Sequence, residues 1–518
     1  MKKKLCGLLF TALLTMAVLG GCADGTGESS GDKSSAEPVY GGSAVVGIQQ
    51  DIDSLDPHKA TAAGTKEILF NIFEGLVKSD ENGNLIGAVA SDYTISEDGL
   101  VYTFTLRENV KFHNGNVVTA EDVKYSLERV SGLLDGTALI STLSADKGGI
   151  TSVDILDEKT VQVTVGSANT ELIYSFVAAI IPAGSGEEEG ADPVGTGPFS
   201  FVSYTPQVGI VVEKNPDYWQ EGLPYLDEVN FKIVSSAETA LMELQGGTID
   251  IYPYLTDSQA QALESGNTHR VIASPSNVVQ ALFLNNAVEP MDNVLVRQAI
   301  LYALDKDEIN VFVGGGTGTL IGSAMLPTLA DYYKDLNDVY GTGANVEKAK
   351  ELLAEAGYPN GFDLVIDIPS NYEFHMQTGE VIVEQLKAVG INASINAVEW
   401  GTWLEDIYNG RQYTATISGV TCDQTPGYML NRFETTSSKN FINYSNAEYD
   451  EVYRKAQAAL DLNEKAGYYK QLQQLLVDDA ATAFIMVPGN MTAISNRLLG
   501  YKFYPIYVQD MSTVYVVE

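Results

Sequence analysis

The run Ile417-Ser418-Gly419-Val420-Thr421-Cys422-Asp423-Gln424-Thr425-Pro426-Gly427-Tyr428 places one acid just past the end of an apolar stretch. Asp, Pro and Gly there are ordinary turn chemistry, and the run holds a single acid. Asp423 is therefore the first candidate residue. Other chemistries lack their parts. The histidines, His58, His113, His269 and His375, form no HExxH or paired metal-ligand spacing, so no metal site is expected. There is no GxSxG elbow and no GxxxxGK[ST] loop, and Gly314-Gly315-Gly316-Thr317-Gly318 misses the dinucleotide spacing. No catalytic residue and no cofactor are expected; a secreted hydrolase is the alternative class.

The elements that must position such an acid read as α/β. Residues 362–368 form a strand, 379–389 a helix, and Ile391, Ala393, Ile395 and Ala397 alternate as a second strand, so a parallel β-α-β unit is expected. A second crossover runs from a strand at 229–234, through a helix opened by Ser235 and Glu238, to a strand at 248–252. Residues 278–285 are a further strand. Helices are expected from Asp292, after an Asn345 cap, and at about 448–460 and 464–479. Near the N-terminus, 40–47 is a strand, Tyr102-Thr103-Phe104-Thr105-Leu106 alternates with period two, and Thr119 with Asp122 makes a capping box. Aromatic-rich strands are expected near 501–517.

At 518 residues and 45 % hydrophobic content the chain can bury several cores. Its net charge of −37 repels nucleic acid and anionic lipid surfaces, so no nucleic-acid partner is expected. Lys2, Lys3 and Lys4 precede an apolar run at 5–19 that is too short to span a bilayer, and Leu19-Gly20-Gly21-Cys22 closes it. Residues 1–21 are thus a leader, and the closing sequence resembles the bacterial lipobox, which implies acylation of Cys22. Loss of the three leader lysines takes the charge from −37 to −40. Residues 22–39 are a Gly/Ser/Asp/Glu tether. With Cys6 removed and Cys22 acylated, Cys422 stands alone and no intrachain disulfide is expected.

Seven stretches occur in an order that is similar to one known family: Leu55-Asp56-Pro57-His58-Lys59, Asn71-Ile72-Phe73-Glu74-Gly75-Leu76, 102–115, Thr119-Ala120-Glu121-Asp122-Val123, Gly195-Thr196-Gly197-Pro198-Phe199, 215–219 and Val296-Arg297-Gln298-Ala299-Ile300. On these the chain resembles the extracytoplasmic solute-binding proteins of the oligopeptide, dipeptide and nickel ABC transporters. The resemblance implies a two-lobed, periplasmic-binding-protein-like α/β fold with an extra domain and a hinge. Lobe I would take 40–75, 192–285 and 490–518, the extra domain 76–191, and lobe II 286–489, with hinge connections near 278–286 and 492–496.

It also implies a function: a monomeric, lipid-anchored receptor of an ABC importer that delivers oligopeptides to membrane permease subunits. Family members that take oligosaccharides or metal chelates supply the alternative. Peptide-binding members hold the ligand's α-ammonium with an acid in a Trp-x-x-Asp-x-x-Asp/Glu-Pro type motif. Asp423 and Pro426 match it, whereas Val420 replaces the aromatic and Thr425 the second acid. The two positions that carry a carboxylate-binding arginine in some relatives fall on or near Ser370 and on Ile417, and His375 is the only possible cation between Ala356 and Lys387. Further ligand-binding candidates by alignment are Thr61, Ala62, Ala63, Asn277, Trp400 and Thr421, with Cys422 beside them.

Overall fold

The computed structural model describes residues 37–517 apart from 235, 265, 423, 424 and 507. Asp423, Cys22, the leader and nearly all of the tether lie outside the described residues. From Pro38 onward the chain forms one unit built on two large sheets, a four-stranded sheet and two two-stranded ones.

The seven-stranded sheet centres on Ser43–Ile48, which is paired in parallel with Glu228–Ile233 on one side and Ile251–Leu255 on the other. Helix Ala237–Gln245, capped by the Ser236 side chain, joins those two flanking strands, so the expected crossover forms. Alternation decides the faces. Ala44, Val46 and Ile48 pack with Ile68, Leu69, Ile72 and Phe73 on one side, while Val45 meets Ala240, Leu244 and Leu263 on the other.

The six-stranded sheet runs Thr319–Leu320, Ala483–Val487, Val278–Leu284, Ala415–Thr421, Asp363–Pro369 and Asn392–Val398. Its last two strands are parallel, linked by helix Glu373–Lys387, as the periodicity implies. The helix begins six residues earlier than its Gly379 reading because its N-cap, Tyr372, makes no side-chain cap hydrogen bond to mark the start. Leu282 and Leu284 face the helices Val294–Ala303 and Val346–Glu355, and Val279, Ala281 and Phe283 face Ala447–Ala458 and Leu462–Asp478.

Two expectations change here. Strand Val278–Leu284, read as part of the first lobe, pairs instead on both edges within the six-stranded sheet. The chain therefore crosses between the sheets at 276–277 and returns at 488, between Ala483–Val487 and Gly489–Ser495. The two crossings lie side by side, with Ser276 N–H donating to Pro488 O at 3.0 Å. The aromatic-rich C-terminus also forms no strand at 501–506 among the described residues; only Tyr515–Val516 pairs, with Leu498–Leu499. Its rings serve as packing, Tyr501 edge-on to Phe503 and Tyr504 edge-on to Phe70.

Residues 76–191 carry an antiparallel sheet ordered Ala90–Ile95, Val101–Leu106, Thr160–Val165, Ile150–Asp157. Helix Ala120–Ser131 covers it, with both bonds of the Thr119/Asp122 capping box in place. The shared sequence stretches fasten this segment to the first sheet. Asp56 takes a bidentate pair from the buried Arg129, at 3.0 and 2.7 Å, and His58 Nε2–H donates to Ala179 O at 2.8 Å. Glu74 accepts from Lys78, Tyr218 and Trp219. At 195 and 197 only glycine fits, since a Cβ there would lie 2.0 Å from Ile72 O and 2.4 Å from Asn71 O.

Candidate functional site

Three of the candidates, Asn277, Thr421 and Cys422, meet at the crossing between the two large sheets. Thr421, exposed, ends strand Ala415–Thr421 opposite Val278, the first residue after the crossing. The next residue, Cys422, is fully buried, and its N–H donates to the carbonyl of Asn277 at 2.7 Å. The loop that carries Asp423 in the sequence thus begins bonded to the crossing itself. It ends at the short helix Pro426–Leu430, which has proline in its first turn.

Trp400 lies beside the same sheet, half-buried. Its ring stacks on Trp403 at 5.3 Å with 6° between planes and meets the exposed Tyr372 edge-on at 5.2 Å. Trp403 is the buried member of this ladder: it opens the π-helical turn Trp403–Asn409, and its Nε1–H donates to Thr416 Oγ1 at 3.0 Å in the strand that ends at Thr421. Sequence reading named Trp400 alone, although the i, i+3 spacing of the two tryptophans was a usable signal for the stack.

His375 does not supply a cation. Its side chain is 8 % exposed, and Nδ1 accepts from Gln280 Nε2–H at 3.0 Å. Burial pulls its pKa down to about 4, so the ring is neutral at pH 7. Ile417, at one inherited arginine position, is buried in the core with its neighbours Leu282 and Ile366, and Ser370, at the other, is exposed.

Thr61, Ala62 and Ala63 sit at the start of helix Ala63–Leu69 on the first-sheet side. A residue that sequence reading missed organises the first two. Asp53 accepts from Thr61 N–H at 2.8 Å, Thr61 Oγ1–H at 2.6 Å and Ala62 N–H at 3.0 Å. Partial desolvation pushes the Asp53 carboxyl up, but the bonds from Thr61, Thr65 and Ala62 outweigh it and hold the group well below the usual carboxylate range. Among the described residues no group of three or more His, Cys, Asp or Glu is placed to hold a metal ion, and no helix is long and apolar enough to cross a membrane.

What this arrangement offers is two large sheets joined by two adjacent backbone crossings, with the aromatic surface of Trp400 and Tyr372 beside the second. Comparisons with known proteins agree with that architecture. A profile of the bacterial extracellular solute-binding proteins, family 5 (middle), matches residues 84–441. The glutathione-binding protein GsiB of Pectobacterium atrosepticum is 29 % identical over 488 residues, covering 91 % of this chain and 93 % of that protein. Among solved structures, the substrate-binding protein CtaP of Listeria monocytogenes superimposes with a TM-score of 0.83 at 23 % identity, over 92 % of this chain and all of the other. DppA of Helicobacter pylori, solved in complex with the peptide STSA, gives 0.73 at 25 % identity, over 93 % and 99 %.

Proposed function

The chain belongs to the bacterial extracellular solute-binding proteins, family 5, substrate-binding receptors of ABC importers, and on that premise we propose that it captures peptides or peptide-like solutes with a free amino end. The observation that carries this is the bond from Cys422 N–H to Asn277 O. It couples the acid-bearing loop to the crossing, so rotation of one sheet against the other about 276–277 and 488 carries that loop over the ligand. Asp423 supplies the counter-charge for the ammonium, Trp400 and Tyr372 supply apolar wall, and Asn277 and Thr421 border the loop. Thr61 and Ala62, organised by Asp53, border the ligand from the first sheet.

The far end of the ligand is left open. With Ile417 in the core, Ser370 carrying no charge and His375 neutral, no cation from the inherited positions fixes a carboxylate at one distance. Two relatives support a peptide-like solute: one is named for glutathione, itself a tripeptide with a free α-ammonium, and one was solved with a tetrapeptide. Cys22 carries the lipid, and the anchored monomer delivers its cargo to membrane permease subunits.

Calorimetry with glutathione and with free, N-acetylated and C-amidated tetrapeptides tests the assignment. Asp423→Asn strands the ammonium, a loss of about 3–5 kcal/mol, so affinity for free peptides should fall more than a hundredfold, on the order of 1.4 kcal/mol per decade. C-amidation should matter little. Wild-type indifference to N-acetylation would refute the ammonium site and point to an oligosaccharide or chelate receptor.

A further inference from the structure

Residues 76–191 touch the loops and helices that flank both large sheets, and the two attachments differ in strength. Toward the first sheet they include the buried Arg129–Asp56 pair, His58 on Ala179 O, Ile180 N–H on Glu74 O and His113 N–H on Gly195 O. Toward the helices of the second sheet the polar attachment centres on Glu171. This residue immediately precedes the 3-10 turn Leu172–Val177, whose Leu172, Ile173 and Phe176 are rooted in the core of the four-stranded sheet, so its carboxylate projects from a fixed base. Its Oε1 accepts from Gly427 N–H at 3.1 Å and from Tyr469 Oη–H at 2.6 Å.

Gly427 lies in the first turn of helix Pro426–Leu430, where backbone N–H groups have no acceptor within the helix. Pro426 has no N–H, Tyr428 N–H reaches Thr425 O, and that of Gly427 is satisfied by Glu171. Space for the carboxylate exists because residue 427 is glycine: a Cβ would stand 2.5 Å from Glu171 Oε2, 2.7 Å from Tyr469 Oη and 3.0 Å from Gln457 Nε2. The opposite end of the helix is held within the second-sheet region, by Tyr449 Oη–H on Leu430 O. Beneath the junction Lys465 is fully buried, and among the described residues its Nζ has no hydrogen-bond partner. Burial lowers its pKa, and the Glu171 charge opposes that. A second contact lies alongside: a Cβ on Gly99 would be 2.8 Å from Leu460 Cδ2 and 3.1 Å from Ala168 Cβ.

We propose that Glu171 is a positioning residue for ligand binding: from residues 76–191 it holds the helix immediately behind the 421–425 loop, and this latch is the attachment that releases when the sheets rotate apart. The proposal rests on the ligand assignment above. The stronger attachment keeps 76–191 with the first sheet, so opening must break the Glu171 bonds and free the loop, and closing remakes them with the ligand inside. The latch therefore acts on ligand release rather than on capture.

Amide hydrogen exchange at Gly427 in the protein saturated with the tetrapeptide Ser-Thr-Ser-Ala, the state in which the Glu171 bonds are made, tests the latch. Glu171→Ala should speed that exchange about tenfold or more, given the strength of hydrogen bonds to a charged acceptor, while Glu171→Gln, whose amide oxygen still accepts, should speed it less. Stopped-flow release of glutathione and of the tetrapeptide Ser-Thr-Ser-Ala tests the consequence. Glu171→Ala should raise the dissociation rate about ten- to a hundredfold with association changed less than about twofold, and Asp423→Asn is measured beside it. Equal Gly427 exchange in wild type and Glu171→Ala would overturn the latch, as would unchanged release from Glu171→Ala when Asp423→Asn weakens binding. If Asp423→Asn alters nothing, the assignment of Asp423 to the ammonium fails while exchange in the saturated wild type and Glu171→Ala still decides the latch; if the wild type binds neither ligand, the proposal falls with that assignment. Should Glu171→Ala not fold, Glu171→Gln decides: a faster release supports the latch, and wild-type release with wild-type exchange overturns it.

Discussion

Replacing Asp56 with Asn tests how residues 76–191 are secured. Arg129 and Asp56 are 8 % and 1 % exposed, and the guanidinium makes two bonds to the carboxylate, one to Gly186 O and one to His58 Nδ1. Desolvation pushes the Asp56 carboxyl up, but the bonds and charge of Arg129, with His58 N–H, outweigh it and hold the group below its ordinary range. Since the folded value is depressed, the pair's contribution is complete above the unfolded pKa of about 4 and is lost as pH falls through the folded value; at pH 7 it is measured in full. Asp56→Asn keeps the shape and leaves Arg129 buried without a counter-charge. Breaking a buried pair this way costs about 3–5 kcal/mol, a large part of the ~5–15 kcal/mol that separates a typical folded domain from its unfolded chain. Urea unfolding of the ligand-free protein at pH 7 reads the loss. Adding Arg129→Met removes the stranded charge, so the double variant should recover about 1–3 kcal/mol over the sum of the single losses. A loss below about 1 kcal/mol for Asp56→Asn, or strictly additive losses, would refute the claim that this pair secures the segment.

Burial raises the Glu67 pKa to about 7, against bonds from Tyr254 and Gln509. The folded value lies above the unfolded one, so the stability Glu67 contributes is full below about pH 4.5 and is lost as pH rises through 7; Glu67→Gln should gain about 3 kcal/mol more at pH 8 than at pH 4 in urea unfolding. Equal effects at the two pH values would remove that explanation. In the tryptophan ladder, Trp403→Ala should cost about 3–5 kcal/mol as a core truncation, whereas Trp400→Ala should cost about 1 kcal/mol yet weaken ligand binding; comparable unfolding losses would place Trp400 in the core instead. Gly195→Ala forces a methyl onto Ile72 O, and a loss of about 2 kcal/mol or more is expected in the same assay. Cys22→Ser should move the protein from the membrane fraction to the soluble one, and unchanged membrane retention would exclude the lipid at this position.

How much of this was legible from the residues follows from how far each signal reaches. The Thr119/Asp122 box, the Asn345 cap and the β-α-β unit from Asp363–Pro369 to Asn392–Val398 rest on neighbours three or four positions apart or on alternation, and all appear in the structure. Strand Val278–Leu284 was recognised as a strand but assigned to the wrong sheet: six of its seven residues are buried, so its pattern carries no record of which sheet surrounds it. The C-terminal aromatic run had strand composition, yet its rings were recruited to pack a loop against Phe70 and its neighbours. Asp423 was singled out through its turn and a family resemblance, whereas the roles of Asp53, Tyr372 and Trp403 emerged only from contacts. Glu171 left no local sign. It meets Gly427 across 256 positions, and a hydrogen bond between such distant residues exists only once two sheets, a crossing and an inserted segment have folded around it, which is why the tertiary structure alone could decide it.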